Sequence, residues 1–119
     1  MKNIFLVFVG GGAGSLVRYA VSVISTKIFA AVFPVATLVS NILSCVILAF
    51  VVLLYSQKQI EDNAMRLLLI VGFCGGFSTF SSFSYETVEL MRNGQMLYAI
   101  ANIIISTVVC IGAIYFITR

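Results

Sequence analysis

The stretch Gly72-Phe73-Cys74-Gly75-Gly76-Phe77-Ser78-Thr79-Phe80-Ser81-Ser82-Phe83-Ser84 lies in the middle of an otherwise apolar segment from about Ala64 to Met91. It packs glycines, hydroxyls and phenylalanines together without a single charge. Two adjacent glycines in a helix interior cost roughly 1 kcal/mol each relative to Ala. Neighbouring Ser and Thr side chains offer the backbone competing hydrogen bonds. The segment therefore predicts a helix broken near Gly75 to Thr79.

Composition says what surrounds that break. Of 119 residues, 61% are apolar and 9% charged, with no His, no Trp and one Pro; mean hydropathy is +1.15. Soluble domains carry roughly 25% charged residues, so this chain lacks a polar skin. Soluble enzymes, nucleic-acid binders and disordered chains are excluded. A transmembrane helix needs about 20 residues, and three further apolar runs qualify: about Ile4 to Val23, Val35 to Tyr55 and Leu97 to Ile117. The runs lack the period-two alternation of a membrane β-barrel. The expected fold is an all-α membrane protein with four transmembrane helices, the third broken at mid-membrane, forming one domain over residues 1–119. An N-terminal signal peptide is disfavoured, because its apolar core, Ile4 to Val9, is short and the pattern continues as a span. The connections are bracketed by Lys27 and Pro34, carried by Gln57 to Asn63, and closed by Arg92-Asn93-Gly94, with Gly94 suited to a helix C′ position.

Freed backbone is tolerated at membrane depth only where protein buries it or it lines a cavity. Its carbonyls suit a cation, and the new helix N-terminus favours an anion. Other buried polar groups need a similar account. Gly10, Gly14 and Arg18 form one stripe of the first span, a GxxxG pair for close packing followed by a guanidinium. Arg18 either pairs with Glu86, expected at similar depth, or attracts an anion. Thr37, Asn41 and Cys45 share a stripe of the second span, with Ser40 and Ser44 beside it. Asn41 either bridges helices or turns its NH2 donors toward an aqueous path. Asn102, Ser106 and Cys110 repeat the arrangement in the fourth span. Two donor-rich stripes without a carboxylate read as the lining of an anion path, with Ser81 and Ser82 as further donors. Phe80 and Phe83, spaced i, i+3, either pack as ordinary core or present positive ring edges. Such edges hold an anion weakly enough to release it, as conduction requires.

Charge is scattered, with a net of +3 and no polybasic patch; membrane lipid is an expected partner and nucleic acid is not. With four spans, Lys2, Lys58, Arg66 and Arg119 face Lys27 and Arg92, with Arg18 near the end of its span. That asymmetry is too weak to fix one orientation, so an antiparallel dimer becomes possible. Cys45, Cys74 and Cys110 sit in apolar runs without CxxC spacing or a His partner, and read as small hydrophobes rather than a zinc site or disulfide framework. No nucleophile–base pair supports an enzyme.

The stretch Gly72 to Glu86 resembles the third-helix signature of the Fluc/CrcB family of fluoride channels. Gly11-Gly12-x-Gly14-x-x-x-Arg18-Tyr19 and Thr37-Leu38-Val39-x-Asn41 add to the resemblance, which covers the whole chain. It implies a dual-topology antiparallel homodimer with two fluoride pathways, in which Phe80, Phe83 and Asn41 line the path and Asn102 and Ser106 fall on the polar track of the fourth helix. It also implies a structural sodium ion at the dimer centre, held by the backbone carbonyls of Gly75 and Ser78; Ser78 stands where Thr is more common. The function implied is passive export of cytoplasmic fluoride. Two other readings remain: a partner subunit of a heterodimeric channel, and a proton-coupled small exporter. The exporter needs a membrane-embedded carboxylate, and the first, second and fourth spans have none.

Overall fold

The computed structural model describes residues 1–28, 33–57 and 62–119. Lys58 and Glu61, and part of the loop between Lys27 and Pro34, lie outside the described residues. Every regular element is helical: α1 (Lys2–Ile28), α2 (Val35–Ser56), α3 (Asn63–Arg66), a π-helical segment (Leu67–Cys74), α4 (Gly75–Phe77), α5 (Phe80–Arg92) and α6 (Met96–Thr118). Four spans, Lys2–Ile28, Val35–Ser56, Asn63–Arg92 and Met96–Thr118, are long and apolar enough to cross a membrane. The third is the one assembled from pieces.

The break falls at the end of the expected window. Gly75–Phe77 remain helical, and Ser78 (φ −84°, ψ 156°) and Thr79 (φ −151°, ψ 117°) are extended. The paired glycines do not break the helix; Gly76 lets it approach α1, while Gly75 faces outward. A Cβ on Gly76 would overlap the Gly11 backbone, and one on Gly72 would stand 3.0 Å from Gly10 Cα. On the facing side, a Cβ at Gly10 would meet the Leu68 carbonyl, and one at Gly14 the Phe73 carbonyl and the Phe77 amide. The GxxxG pair of the first span is thus one half of a glycine-to-glycine seam, the close packing such motifs permit in lipid. The π-helical segment, whose wider i→i+5 bonding has no signature in hydropathy, runs along this seam.

The second seam joins α2 to α6, and α5 packs on α6. The small buried set includes Ala49, Cys74, Phe77, Leu90 and Ala99, with Phe77 only 1% exposed. Ser40, Ser44, Thr87, Asn102 and Ser106 are buried with them. The large apolar side chains are mostly outside, including Ile4, Phe5, Phe8, Leu16, Ile104 and Phe116. Lipid solvates such an exterior as well as a core would.

Local signals set the helix ends. Asp62 caps α3 by accepting from the Ala64 amide at 2.9 Å. The α5 helix stops in a Schellman turn: Gly94 has φ +76°, its N–H donates to the Met91 carbonyl at 3.2 Å, and the Gln95 N–H donates to Leu90 at 2.8 Å. That is the C′ role expected of Gly94. The first span overruns its expected end at Val23 and reaches Ile28, so Arg18 lies well inside the helix rather than near its end.

Gly14→Ala should destabilise the protein by about 1–3 kcal/mol, because the new methyl meets backbone that cannot give way. Gly112→Ala, whose Cβ would meet nothing within 4 Å, should leave the melting temperature in detergent unchanged or raised. Equal behaviour of the two variants in thermal unfolding would remove the seam argument.

Candidate functional site

A chain break inside a membrane span leaves amides and carbonyls without helical partners, and each must be met by something else. Here five side chains gather around the break. Thr79 caps α5, its Oγ1 accepting from the Ser82 amide at 3.1 Å and lying 3.1 Å from Ser81 Oγ. Asn41, from α2, takes both sides of one peptide residue: its Oδ1 accepts from the Thr79 N–H at 2.8 Å, and its Nδ2 donates to the Thr79 carbonyl at 3.4 Å. Arg18, from α1, donates from Nε to the Gly76 carbonyl at 3.2 Å, closing the C-terminal end of α4 with a cation, as the helix dipole favours. Ser44 donates to the Cys74 carbonyl at 3.0 Å, which Ser78 also meets through its N–H (3.0 Å) and Oγ (2.8 Å). Asn41 thus bridges helices, one of its two expected roles; an NH2 group has a second donor, and Asn41 also borders the cavity beside the break.

That cavity, of about 310 Å³, is lined by Asn41, Cys45, Ser78, Thr79, Phe80, Phe83, Ser106, Thr107, Cys110 and Ile111. Among the described residues, none that lines it is charged. The rings of Phe80 and Phe83 sit 5.6 Å apart at 40°, and Phe80 is 79% exposed on the protomer. Ser106 reaches the cavity at the end of a relay: it donates to Asn102 Oδ1 at 3.3 Å, Asn102 Nδ2 donates to Thr87 Oγ1 at 3.0 Å, and Thr87 donates to the Phe83 carbonyl at 2.7 Å. Asn102 is 1% exposed and stands behind the lining rather than in it. Thr87 was not foreseen, although it lies one helical turn from Phe83 on the same face.

A second cavity, of about 330 Å³, is polar and is bounded by Ser15, Arg18, Tyr19, Ser22, Ala36, Thr37, Ser40, Ser82 and Glu86. Arg18 and Glu86 share this space, but among the described residues they form no ion pair; the one salt bridge found joins Arg92 to Glu89 at 3.7 Å. The expected Arg18–Glu86 pair is therefore replaced. The broken helix offers the guanidinium a carbonyl, and Thr37 donates to Glu86 Oε1 at 2.6 Å. Glu86 Oε2 and Ser40 Oγ are buried with no hydrogen-bond partner among the described residues. A third cavity, of about 330 Å³, also touches Thr37 and Glu86 and opens among Ser25, Thr26, Pro34, Glu89 and Asn93. Thr37 and Glu86 thus line both of these cavities. Ser81 is exposed and Ser82 faces the second cavity rather than the one with the rings.

The backbone at Gly75 and Ser78 can be tested for the cation the sequence suggests. The α-helical partner of the Gly75 carbonyl is the Thr79 N–H, which donates to Asn41 instead; that of the Ser78 carbonyl is the Ser82 N–H, which donates to Thr79 Oγ1. Both carbonyls are released from α-helical pairing, and Gly75 is exposed on the protomer. That is the donor chemistry a hard cation takes.

Comparison with known proteins agrees with this architecture. The family described as "CrcB-like protein, Camphor Resistance (CrcB)" matches residues 5–117. A protein of Azobacteroides pseudotrichonymphae named "Fluoride-specific ion channel FluC" is 42% identical over 108 residues, covering 87% of this chain and 86% of the relative. Proteins of the same name from Chlorobaculum tepidum (44% over 99 residues; 83% and 78% covered) and Clostridium perfringens (38% over 101 residues; 85% and 79% covered) are similar.

Asn41→Ala strips both partners from Thr79 and should cost about 1–3 kcal/mol, the penalty of buried backbone left unsatisfied. Ser44→Ala should cost less than about 1 kcal/mol, because the Cys74 carbonyl keeps Ser78. Thermal unfolding of the two variants checks the order, and a larger loss from Ser44→Ala would contradict it.

Proposed function

We propose that this chain, which belongs to the CrcB family together with its FluC relatives, is a fluoride-specific ion channel that lets cytoplasmic fluoride run passively down its gradient and so reduces its toxicity. One observation carries the reading in this chain's own residues: the cavity at the helix break combines neutral donors with two phenylalanine rings and contains no charged side chain. Fluoride is small and strongly hydrated, so a selective path must replace its water with many donors in little space. Asn41 supplies an amide N–H, Ser106 supplies a hydroxyl once its proton turns from Asn102 Oδ1 to the ion, and Phe80 and Phe83 supply positive ring edges. A lining without full charge lets the ion leave as readily as it enters. Asn102 acts through Ser106, holding its hydroxyl proton until an anion in the cavity competes for it. Arg18, Ser82 and Ser81 belong to the approach, where a guanidinium beside a polar cavity enriches anions.

The active assembly is an antiparallel homodimer with two pathways. Support comes from the break itself: Gly75 and Phe80 are exposed on the protomer at membrane depth, where open backbone needs a protein cover. The scattered basic residues leave both orientations open to the chain. At the centre of that dimer, the carbonyls of Gly75 and Ser78 from each subunit hold a sodium ion. When bound, the sodium supplies a fixed positive charge beside the path.

The purified chain alone, reconstituted in liposomes loaded with fluoride, should release it rapidly once a counter-ion route is opened, with no pH gradient. Retained fluoride would overturn self-sufficiency and make the chain one subunit of a heterodimer. Phe80→Ile and Phe83→Ile keep size and apolarity but remove the ring quadrupole. Each should slow efflux by about tenfold or more, equivalent to about 1.4 kcal/mol at the barrier. Full flux in both variants would remove the ring-edge role.

A further inference from the structure

The structure joins two of the three cysteines that the sequence alone reads as unrelated. Cys45 stands one turn beyond Asn41 on α2, and Cys110 one turn beyond Ser106 on α6. Because α2 and α6 pack along each other, the same turn places both thiols on the wall of the ring-lined cavity. There the two thiols are neighbours close enough to feel each other's charge. Both are free and partly accessible; Cys74, which also lies near Cys45, is buried against Ser44 and does not line this cavity.

We propose that Cys45 and Cys110 form a two-sulfur binding site for a soft d10 metal ion, seated inside the cavity between α2 and α6. The ligand count selects the class of metal. Zinc needs four ligands, and among the described residues no cluster of three His, Cys, Asp or Glu side chains exists. Two thiolates without further donors match the soft ions that accept linear two-sulfur coordination. Binding transfers no electrons: each thiol loses its proton, two sulfur–metal bonds form, and the protons leave with the displaced anions of the metal salt. With a divalent ion the product is neutral, which suits a wall that carries no charge. The bound ion bridges α2 to α6 across the space beside Phe80 and Phe83.

The site itself does not depend on fluoride conduction; only its effect on flux rests on the function proposed above. Mercury(II) chloride added to the purified full-length chain should consume two thiols per metal. It should also produce the ultraviolet absorption of a two-sulfur mercury site that survives a monothiol wash. Cys45→Ala and Cys110→Ala should each lose that wash-resistant signal, and Cys74→Ala should keep it. Cys45→Ser and Cys110→Ser repeat the test where an alanine variant does not fold. In fluoride-loaded liposomes, the same metal should abolish efflux by the wild type and by Cys74→Ala, with recovery on adding a dithiol. Single variants at Cys45 or Cys110 should keep the flux they show without metal. A wash-resistant two-sulfur signal in either single variant, or its loss in Cys74→Ala, overturns the proposal. Binding without block keeps the site but removes its position in the path. A silent wild type with an intact absorption signal separates failure of the channel reading from failure of the site.

Discussion

Everything in this molecule depends on capping a helix break that has no water to cap it. In an aqueous loop the open amides and carbonyls around Ser78 and Thr79 would be hydrated at little cost. In hydrocarbon each one costs several kcal/mol unless a side chain answers it. Arg18 comes from α1, Asn41 and Ser44 from α2, and Thr79 from the segment itself. The break is therefore not a flexible joint. It is a fixed site whose geometry is set by three spans at once, which is the kind of scaffold a narrow ion path requires.

The glycine seam makes those caps reachable. An arginine tied by its Nε to a backbone carbonyl needs α1 to lie against α4, and that approach exists because Gly10 and Gly11 meet Gly72 and Gly76, and Gly14 meets the Phe73 and Phe77 backbone, without side chains between them. Hydrophobic burial does not explain the approach, since the lipid is as apolar as any core. Dispersion contacts between closely spaced backbones and the hydrogen bonds at the break supply the cohesion. The polar chain from Thr87 through Asn102 to Ser106 plays a similar part between α5 and α6.

Hydropathy made the four spans legible, because bilayer thickness demands long apolar runs, and breakers placed the third-span interruption to within a few residues. Of the residues the sequence singles out, Asn41, Phe80, Phe83 and Ser106 border one cavity. Their partners were not. Helical periodicity says which residues share a face of one helix, yet it gives neither rotation nor depth relative to another helix. So the Arg18–Glu86 pair was inferred from depth alone, when a carbonyl freed by the break lay nearer to Arg18 and the Thr37 hydroxyl lay nearer to Glu86. The π-helical segment escaped for a related reason. It packs along α1, and no residue preference marks it in the sequence. Thr87 and Asn102 look like isolated polar residues until α5 and α6 are docked.

The distribution of charge follows from the same constraint. Arg18 and Glu86, the ionisable groups nearest the break, are each held by hydrogen bonds and border the second cavity, leaving the ring cavity to neutral groups. A full positive charge beside the rings would bind an anion deeply and release it slowly; a full negative charge would repel it. Keeping the guanidinium one layer back, fixed on the Gly76 carbonyl, lets its field reach the proposed path without its bonds doing so. The paired donors and ring edges then replace hydration in small increments. Charge that caps a helix end can therefore also bias an ion path, so one residue, Arg18, links the stability of the fold to the proposed function.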